Sequence, residues 1–69
     1  MPLSMAPIGT EVYIKRIGGK EDTKRFLENL GFVQGTMVKV VSKVGDNVIV
    51  NIKESRVAIS SEMANKIIV

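Results

Sequence analysis

The stretch that decides the fold is KEDTKRFLENLGFVQGTMVKVV, residues 20–41. Its first half predicts an α-helix over about residues 21–30, because apolar side chains recur at the three- and four-residue spacing of one helix face. The residues on that face are Thr23, Phe26, Leu27 and Leu30. Gly31 follows them and suits the left-handed conformation that ends a helix, with Phe32 folded back onto Leu27.

The second half of the stretch predicts a turn and then a strand. Gly35 suits the third position of a type II turn over residues 33–36. A strand follows over residues 36–44, with Val38 and Val40 on its core side. A helix of about three turns is not stable alone in water, so it is expected to pack against the strands.

Further alternation of apolar and polar residues predicts three more segments of sheet. One strand is expected over residues 11–17. A hairpin turn at Gly45-Asp46 leads into a strand from Val48 to Lys53. A tight connection at residues 53–55, which lacks the glycine that such turns prefer, leads into a short strand over residues 56–59.

The C-terminal residues predict a helical turn and a last strand. Ser60 or Ser61 can cap a brief helical turn through Ala64, because a serine oxygen accepts a hydrogen bond from an unpaired amide of the first turn. Asn65 is expected to end that turn in the left-handed conformation. The apolar residues 67–69 are expected to pair with the first strand.

These elements predict a mainly β fold, a small five-stranded barrel with one inserted helix and a short C-terminal helical turn. Closure into a barrel removes sheet edges that a chain of 69 residues can hardly cover otherwise. Residues 1–7, which contain two prolines, are expected to be a lead-in, and residues 8–69 the barrel domain.

The composition excludes several classes of function. The chain has no cysteine and no histidine, so disulfides, thiolate metal sites and catalysis through imidazole are ruled out. The net charge of +3 is spread along the chain, as on an ordinary solvated surface. No apolar run reaches the length of a membrane span, and the first residues lack the pattern of a signal peptide, so a cytoplasmic location is expected.

The order and spacing of these features resemble the FeoA family from about Ile8 to Val69. The matching residues are Leu27, Leu30, Gly31, Gly35, Val38, Val40, Ile59, Ala64, Ile67 and Val69. The resemblance implies an SH3-like barrel in a small cytoplasmic protein of bacterial ferrous iron transport. Two positions depart from the family pattern: Gln34 stands where proline is frequent, and no glycine lies near Lys53-Glu54.

Neither catalysis nor metal binding is expected. The seven carboxylates are scattered, and the adjacent Glu21 and Asp22 point about 100° apart on a helix, which makes a weak site for a hard metal ion. Of the four methionines, Met37 and Met63 are expected to fill gaps in the core. We therefore predict no catalytic residue, no cofactor and no metal site.

A protein-binding module is the favoured hypothesis. The resemblance implies docking on the cytoplasmic, GTPase-containing part of a FeoB-type ferrous iron transporter. One alternative is a small basic barrel that binds nucleic acid through the series Tyr13, Lys15, Lys39 and Lys43, although a single tyrosine is a poor platform for stacking bases. Another is the SH3-like regulatory domain of an iron-dependent repressor.

The predicted docking residues lie at and near the helix exit. They are Lys24, Arg25, Phe32, Val33 and Gln34. Val33 is singled out because it is an apolar residue in a predicted turn. Leu27, Leu30, Gly31 and Gly35 are assigned structural roles in the helix face, its cap and the turn.

Overall fold

The computed structural model describes residues 1–69 as two antiparallel sheets with two helices. A 3₁₀ turn covers Leu3–Met5, and the strands are β1 (Glu11–Tyr13), β2 (Arg16–Ile17), β3 (Met37–Val44), β4 (Asn47–Ile52), β5 (Ser55–Ser60) and β6 (Ile67–Ile68). The helices are α1 (Glu21–Asn29) and α2 (Ser61–Ala64). One sheet has the order β1-β3-β4-β5 and the other pairs β2 with β6. The mainly β class is confirmed.

The strand predicted over residues 11–17 is divided, which gives six strands where five were expected. The division falls where the chain passes from one sheet to the other. The Ile14 amide donates to the carbonyl of Thr36 at 3.0 Å, and the next amide, that of Lys15, donates to the carbonyl of Ile68 at 2.7 Å. The pairing of the C-terminal strand with this first segment is confirmed, as the antiparallel pair β2–β6.

The end of α1 has the predicted cap. The Gly31 amide donates to the carbonyl of Glu28, and the Phe32 amide donates to the carbonyl of Leu27, both at 3.0 Å. These two bonds are the Schellman pattern, and Gly31 has the positive φ of 106° that the pattern requires. Leu27 and Phe32 are both fully buried.

Phe26 does not belong to the core face of α1, which corrects the prediction. Leu27 is buried and Leu30 packs partly buried against the core, whereas Phe26 is 49% exposed. Successive residues of a helix point about 100° apart. The helix therefore meets the barrel through a narrow strip centred on Leu27, and Phe26 lies beyond its margin.

Residues 1–7, predicted as a lead-in, contribute two side chains to the core. Leu3 and Ala6 are buried, and the Val69 amide donates to the carbonyl of Met1 at 2.7 Å. The core contains 15 side chains, all apolar: Leu3, Ala6, Ile14, Ile17, Leu27, Phe32, Val38, Val40, Val48, Val50, Ile52, Ile59, Ala64, Ile67 and Val69. A chain of this size buries few residues, so its N-terminal segment contributes to the same core.

Two predictions about turns have different outcomes. Ser60 caps α2, since its Oγ accepts from the Met63 amide at 3.1 Å, as predicted. Asn65 has right-handed angles, φ −64° and ψ −19°, so its left-handed assignment was wrong. In the β4–β5 turn, Lys53 itself adopts the positive φ of 56° that a glycine would adopt more easily.

We expect Gly31→Ala to lower the free energy of unfolding by about 1–2 kcal/mol, because an L-residue is strained at positive φ. A steric clash does not contribute to this loss of stability, since a Cβ at Gly31 would meet Ile52 Cδ1 at an ordinary contact distance of 3.5 Å. Urea denaturation measures the change, and Asn29→Ala, on the exposed last residue of α1, is the matched control. A neutral Gly31→Ala would contradict the cap.

We expect Leu3→Ala to cost about 2–5 kcal/mol of unfolding free energy, the usual range for a buried leucine. Met5→Ala in the same 3₁₀ turn is the control, and it should stay within about 0.5 kcal/mol because Met5 is exposed. Thermal and urea denaturation of both variants test whether Leu3 lies in the core. Equal small effects would show that residues 1–7 do not belong to the core.

Candidate docking surface

The turn after α1 is hydrogen-bonded to Ile14, the residue that follows β1. The Thr36 amide donates to the carbonyl of Val33 at 3.1 Å, and Gly35 has a φ of 87°, as the predicted type II turn requires. The Gly35 amide in turn donates to the carbonyl of Ile14 at 2.8 Å. The backbone of the turn is therefore held both within the turn and by the neighbouring segment, and Val33 and Gln34 project from it into solvent.

Apolar side chains are exposed on and beside this turn. Val33 is 38% exposed and Met37, the first residue of β3, is 41% exposed. Met37 faces Tyr13 across the β1–β3 ladder, and Tyr13 is 63% exposed. Directly opposed residues share one face of a sheet, so these two side chains are neighbours. We call Tyr13, Val33, Gln34 and Met37 the turn patch.

Sequence reasoning missed half of the turn patch. Met37 was expected to fill a core gap, and this was wrong, whereas Met63 does pack partly buried against the core. The signal was present in the strand alternation: Val38 and Val40 face inward, so Met37 must face outward. Tyr13 enters the sequence prediction in the basic series for nucleic acid and not among the docking residues.

The predicted docking residues are not all brought together. Val33 and Gln34 are exposed on the turn, but Phe32 is fully buried, and this corrects its assignment as a docking residue. The cap draws the Phe32 side chain inward. Lys24 is half-buried and Arg25 is exposed on α1, between one and two helical turns before Leu30.

A β-bulge breaks the basic series proposed for nucleic acid. The β3–β4 register shifts between Val40 and Ser42. As a result Lys39 faces Asn51 on the outer side of the sheet, whereas Lys43 faces the buried Val48. A shift of one residue moves all later side chains to the other face. Lys39 and Lys43 therefore do not form one stripe.

Lys43 also has a different contact from the one expected. Its Nζ donates to the carbonyl of Ser4 at 2.9 Å, and Ser4 Oγ donates to Asn65 Oδ1. These bonds tie the N-terminal 3₁₀ turn to β3 and to the residue after α2. Lys43 thus has a structural contact, and its charge is turned away from the face that carries Tyr13.

An open pocket of about 340 Å³ lies at the β4–β5 turn. It is lined by Asn51, Lys53, Glu54, Ser55 and Arg56, with no apolar side chain. Arg56 Nε donates to Asn51 Oδ1 at 3.2 Å, which holds the guanidinium over the sheet. With two cations and one carboxylate, the pocket suits an anionic group better than an apolar one.

Neither a metal centre nor a membrane span is found. No three or more carboxylate side chains come together as metal ligands, and the sequence supplies no histidine or cysteine. Neither helix is long and apolar enough to cross a membrane.

Comparison with known proteins decides the family. The family model of the FeoA domain matches residues 1–69, the whole chain. This chain belongs to the FeoA family. The family is linked with ferrous iron transport. No curated protein matches this FeoA-family sequence.

Solved FeoA structures share the fold of this FeoA-family chain. One of them is FeoA of Stenotrophomonas maltophilia, which was solved with zinc and is described as an SH3 domain protein. It is 27% identical to this chain with a TM-score of 0.87, and the match covers 99% of this chain and 87% of that one. FeoA of Chlorobium tepidum is 26% identical with a TM-score of 0.89 over 99% and 67%. The SH3-like barrel is thereby confirmed.

The same fold also occurs within a larger regulator. A manganese-dependent transcriptional repressor is 18% identical with a TM-score of 0.88, over 97% of this chain and 39% of that one. At that identity the likeness extends to the fold alone, so it does not carry a repressor function over to this FeoA-family chain.

Because the basic series is broken, we expect only weak, non-specific binding of nucleic acid, with a Kd of about 10⁻⁴–10⁻⁶ M at physiological salt. Fluorescence anisotropy with single-stranded RNA and duplex DNA, at two salt concentrations, measures it. Tight binding that distinguishes one sequence from another would contradict the protein-binding hypothesis.

Proposed function

We propose that this chain is a non-enzymatic, cytoplasmic binding module of ferrous iron uptake, which docks on the cytoplasmic part of a FeoB-type membrane transporter and regulates or assembles it. The observation that carries the proposal is the turn patch. Its members are exposed apolar and amide side chains on a backbone that is fixed by hydrogen bonds.

The composition of the turn patch suits a protein partner. Tyrosine and methionine are enriched at protein interfaces, and tyrosine buries a large area there at a small entropic cost. Tyr13 and Met37 are direct cross-strand neighbours, and Val33 lies on the adjoining turn. Exposed apolar residues that lie together mark interaction sites more often than single ones do.

The charges near α1 suit an orienting role. Arg25 is exposed and Lys24 is half-buried, while the carboxylates of α1 lie chiefly at its first turn. Charges at the margin of an interface mainly raise the association rate with an oppositely charged partner and depend on salt. An acidic region on the transporter would therefore be guided toward α1.

We expect Val33→Glu to weaken binding to the transporter by about tenfold or more, since it places a charge in the apolar centre of the interface. The binding assay uses the purified transporter in detergent, with folding checked by circular dichroism. Val44→Glu is the matched control, because Val44 is also an exposed valine but lies at the opposite end of β3.

The pair of variants separates two outcomes. A loss with Val33→Glu alone supports the turn patch. If both variants bind as tightly as the unmodified chain, the turn patch is not part of the interface. Separately, turnover of GTP by the isolated chain would contradict a purely docking role.

A further inference from the structure

The strand β5 is an open edge of the four-stranded sheet. It pairs with β4 over its six residues, and no strand lies on its other side. It is longer than the other edge strand, β1, which has three residues. Natural proteins usually cover or shorten such an edge, because its unpaired backbone groups can accept another strand.

The ladder geometry shows which groups point outward. The Ser61 amide donates to the carbonyl of Asp46 at 2.7 Å, just beyond the last β4–β5 pair. In an antiparallel ladder hydrogen-bonded and non-hydrogen-bonded pairs alternate. The Ser61 amide is directed to the β4 side, so Ile59 and Val57, two and four residues earlier, also direct their backbone groups toward β4. The backbone groups of Ala58 and Arg56 therefore face outward.

The residues on this edge permit close approach. Arg56 and Ala58 are exposed, while Val57 and Ile59 turn their side chains toward the core. Ala58 has only a methyl group, so an added strand would meet no bulky side chain at the middle of the edge. We call the outward groups of Arg56 and Ala58 the β5 edge.

The start of the β5 edge is basic. Lys53 and Arg56 line the polar pocket at the β4–β5 turn, with Glu54 as its one carboxylate. The bond from Arg56 Nε to Asn51 Oδ1 holds the Arg56 side chain toward β4, in the wall of this pocket. A segment that pairs along the β5 edge would run past these two cations, which favours acidic side chains at that position.

We propose that the β5 edge receives an extended, acidic segment of the partner protein as an added strand. The backbone of that segment bonds to the outward groups of Arg56 and Ala58, and a carboxylate occupies the pocket between Lys53 and Arg56. Main-chain pairing of this kind supplies affinity, and the flanking side chains supply selectivity. The proposal rests on the proposed function and specifies how the transporter is held.

The β5 edge and the turn patch are close enough for one partner. β5 lies two strands from β3 in the sheet, a separation of roughly 10 Å at ordinary strand spacing. Met37 of the turn patch is the first residue of β3. It lies near the β4–β5 turn, because the next residue, Val38, pairs with Ile52 at the end of β4. A partner could thus bury the turn patch while one of its segments extends the sheet.

A second copy of this chain suits the edge less well. Antiparallel pairing of two β5 strands about Ala58 would set each Arg56 opposite a Ser60. That arrangement places no carboxylate opposite Arg56, and it sets Glu62 of the second copy opposite Glu54, a pair of like charges. Charge complementarity therefore favours an acidic segment over self-association.

The test compares Ala58→Pro with Ala58→Ser. Proline removes the outward amide and is tolerated on an edge strand where the amide has no partner, and it also favours the extended conformation that Val57 already has. Serine keeps the amide. With the purified FeoB-type transporter in detergent as the probe, we expect Ala58→Pro to weaken binding about tenfold or more and Ala58→Ser to leave it within about twofold.

A second measurement covers the case in which Ala58→Pro does not fold. Hydrogen exchange of the unmodified chain, with and without the transporter, should show new protection of the Arg56 and Ala58 amides. Arg56→Glu should also weaken binding, whereas Lys66→Glu, an exposed lysine next to β6, should not.

The outcomes are distinct. If Ala58→Pro leaves binding of the transporter unchanged and the β5 amides gain no protection, the β5 edge does not bind the transporter. That result would overturn the proposal for β5 and leave the proposed function standing. Failure of the unmodified chain to bind the transporter would overturn both. A dimer of the isolated chain that Ala58→Pro abolishes would assign the edge to a second copy and contradict the proposal.

Discussion

The rest of the structure depends on the two hydrogen bonds that end α1. They turn the chain at Gly31 and draw Phe32, the largest fully buried side chain, into the core. The same reversal leaves Val33 outside, on a turn that is bonded to Ile14. One local constraint thereby anchors the helix, sets the entry into β3 and leaves exposed the apolar residue Val33 that we propose for docking.

The small core explains why so much of the chain is committed to structure. All 15 buried residues are apolar, and no buried polar side-chain atom lacks a partner. Leu3 and Val69, from the two ends of the sequence, lie in that core. With nearly every inward position used for packing, interaction with other molecules falls to outward side chains and to an open sheet edge.

Much of the fold could be predicted from the sequence because its signals are local. The spacing around Leu27, the glycines at positions 31 and 35 and the serine cap at Ser60 each act within a few residues. The division of the first strand could not be predicted in this way. It depends on Ile14 and Lys15 bonding to two segments that are distant in sequence.

The candidate site was predicted less well, for the same reason. Val33 was identified because an apolar residue in a turn is a local signal. The neighbourhood of Tyr13 and Met37 arises only from strand register, and the separation of Lys39 from Lys43 arises from a bulge that alternation alone does not reveal. The burial of Phe32 followed from the cap that the sequence indicated, but the docking assignment overlooked it.

We propose that the chain acts by docking, without a metal or a reaction of its own. Isothermal titration of the unmodified chain into the FeoB-type transporter, with and without a chelator of divalent metals, tests this most directly. We expect saturable binding with the same affinity in both conditions. Binding that appears only with Fe²⁺ present, or no binding in either condition, would contradict it.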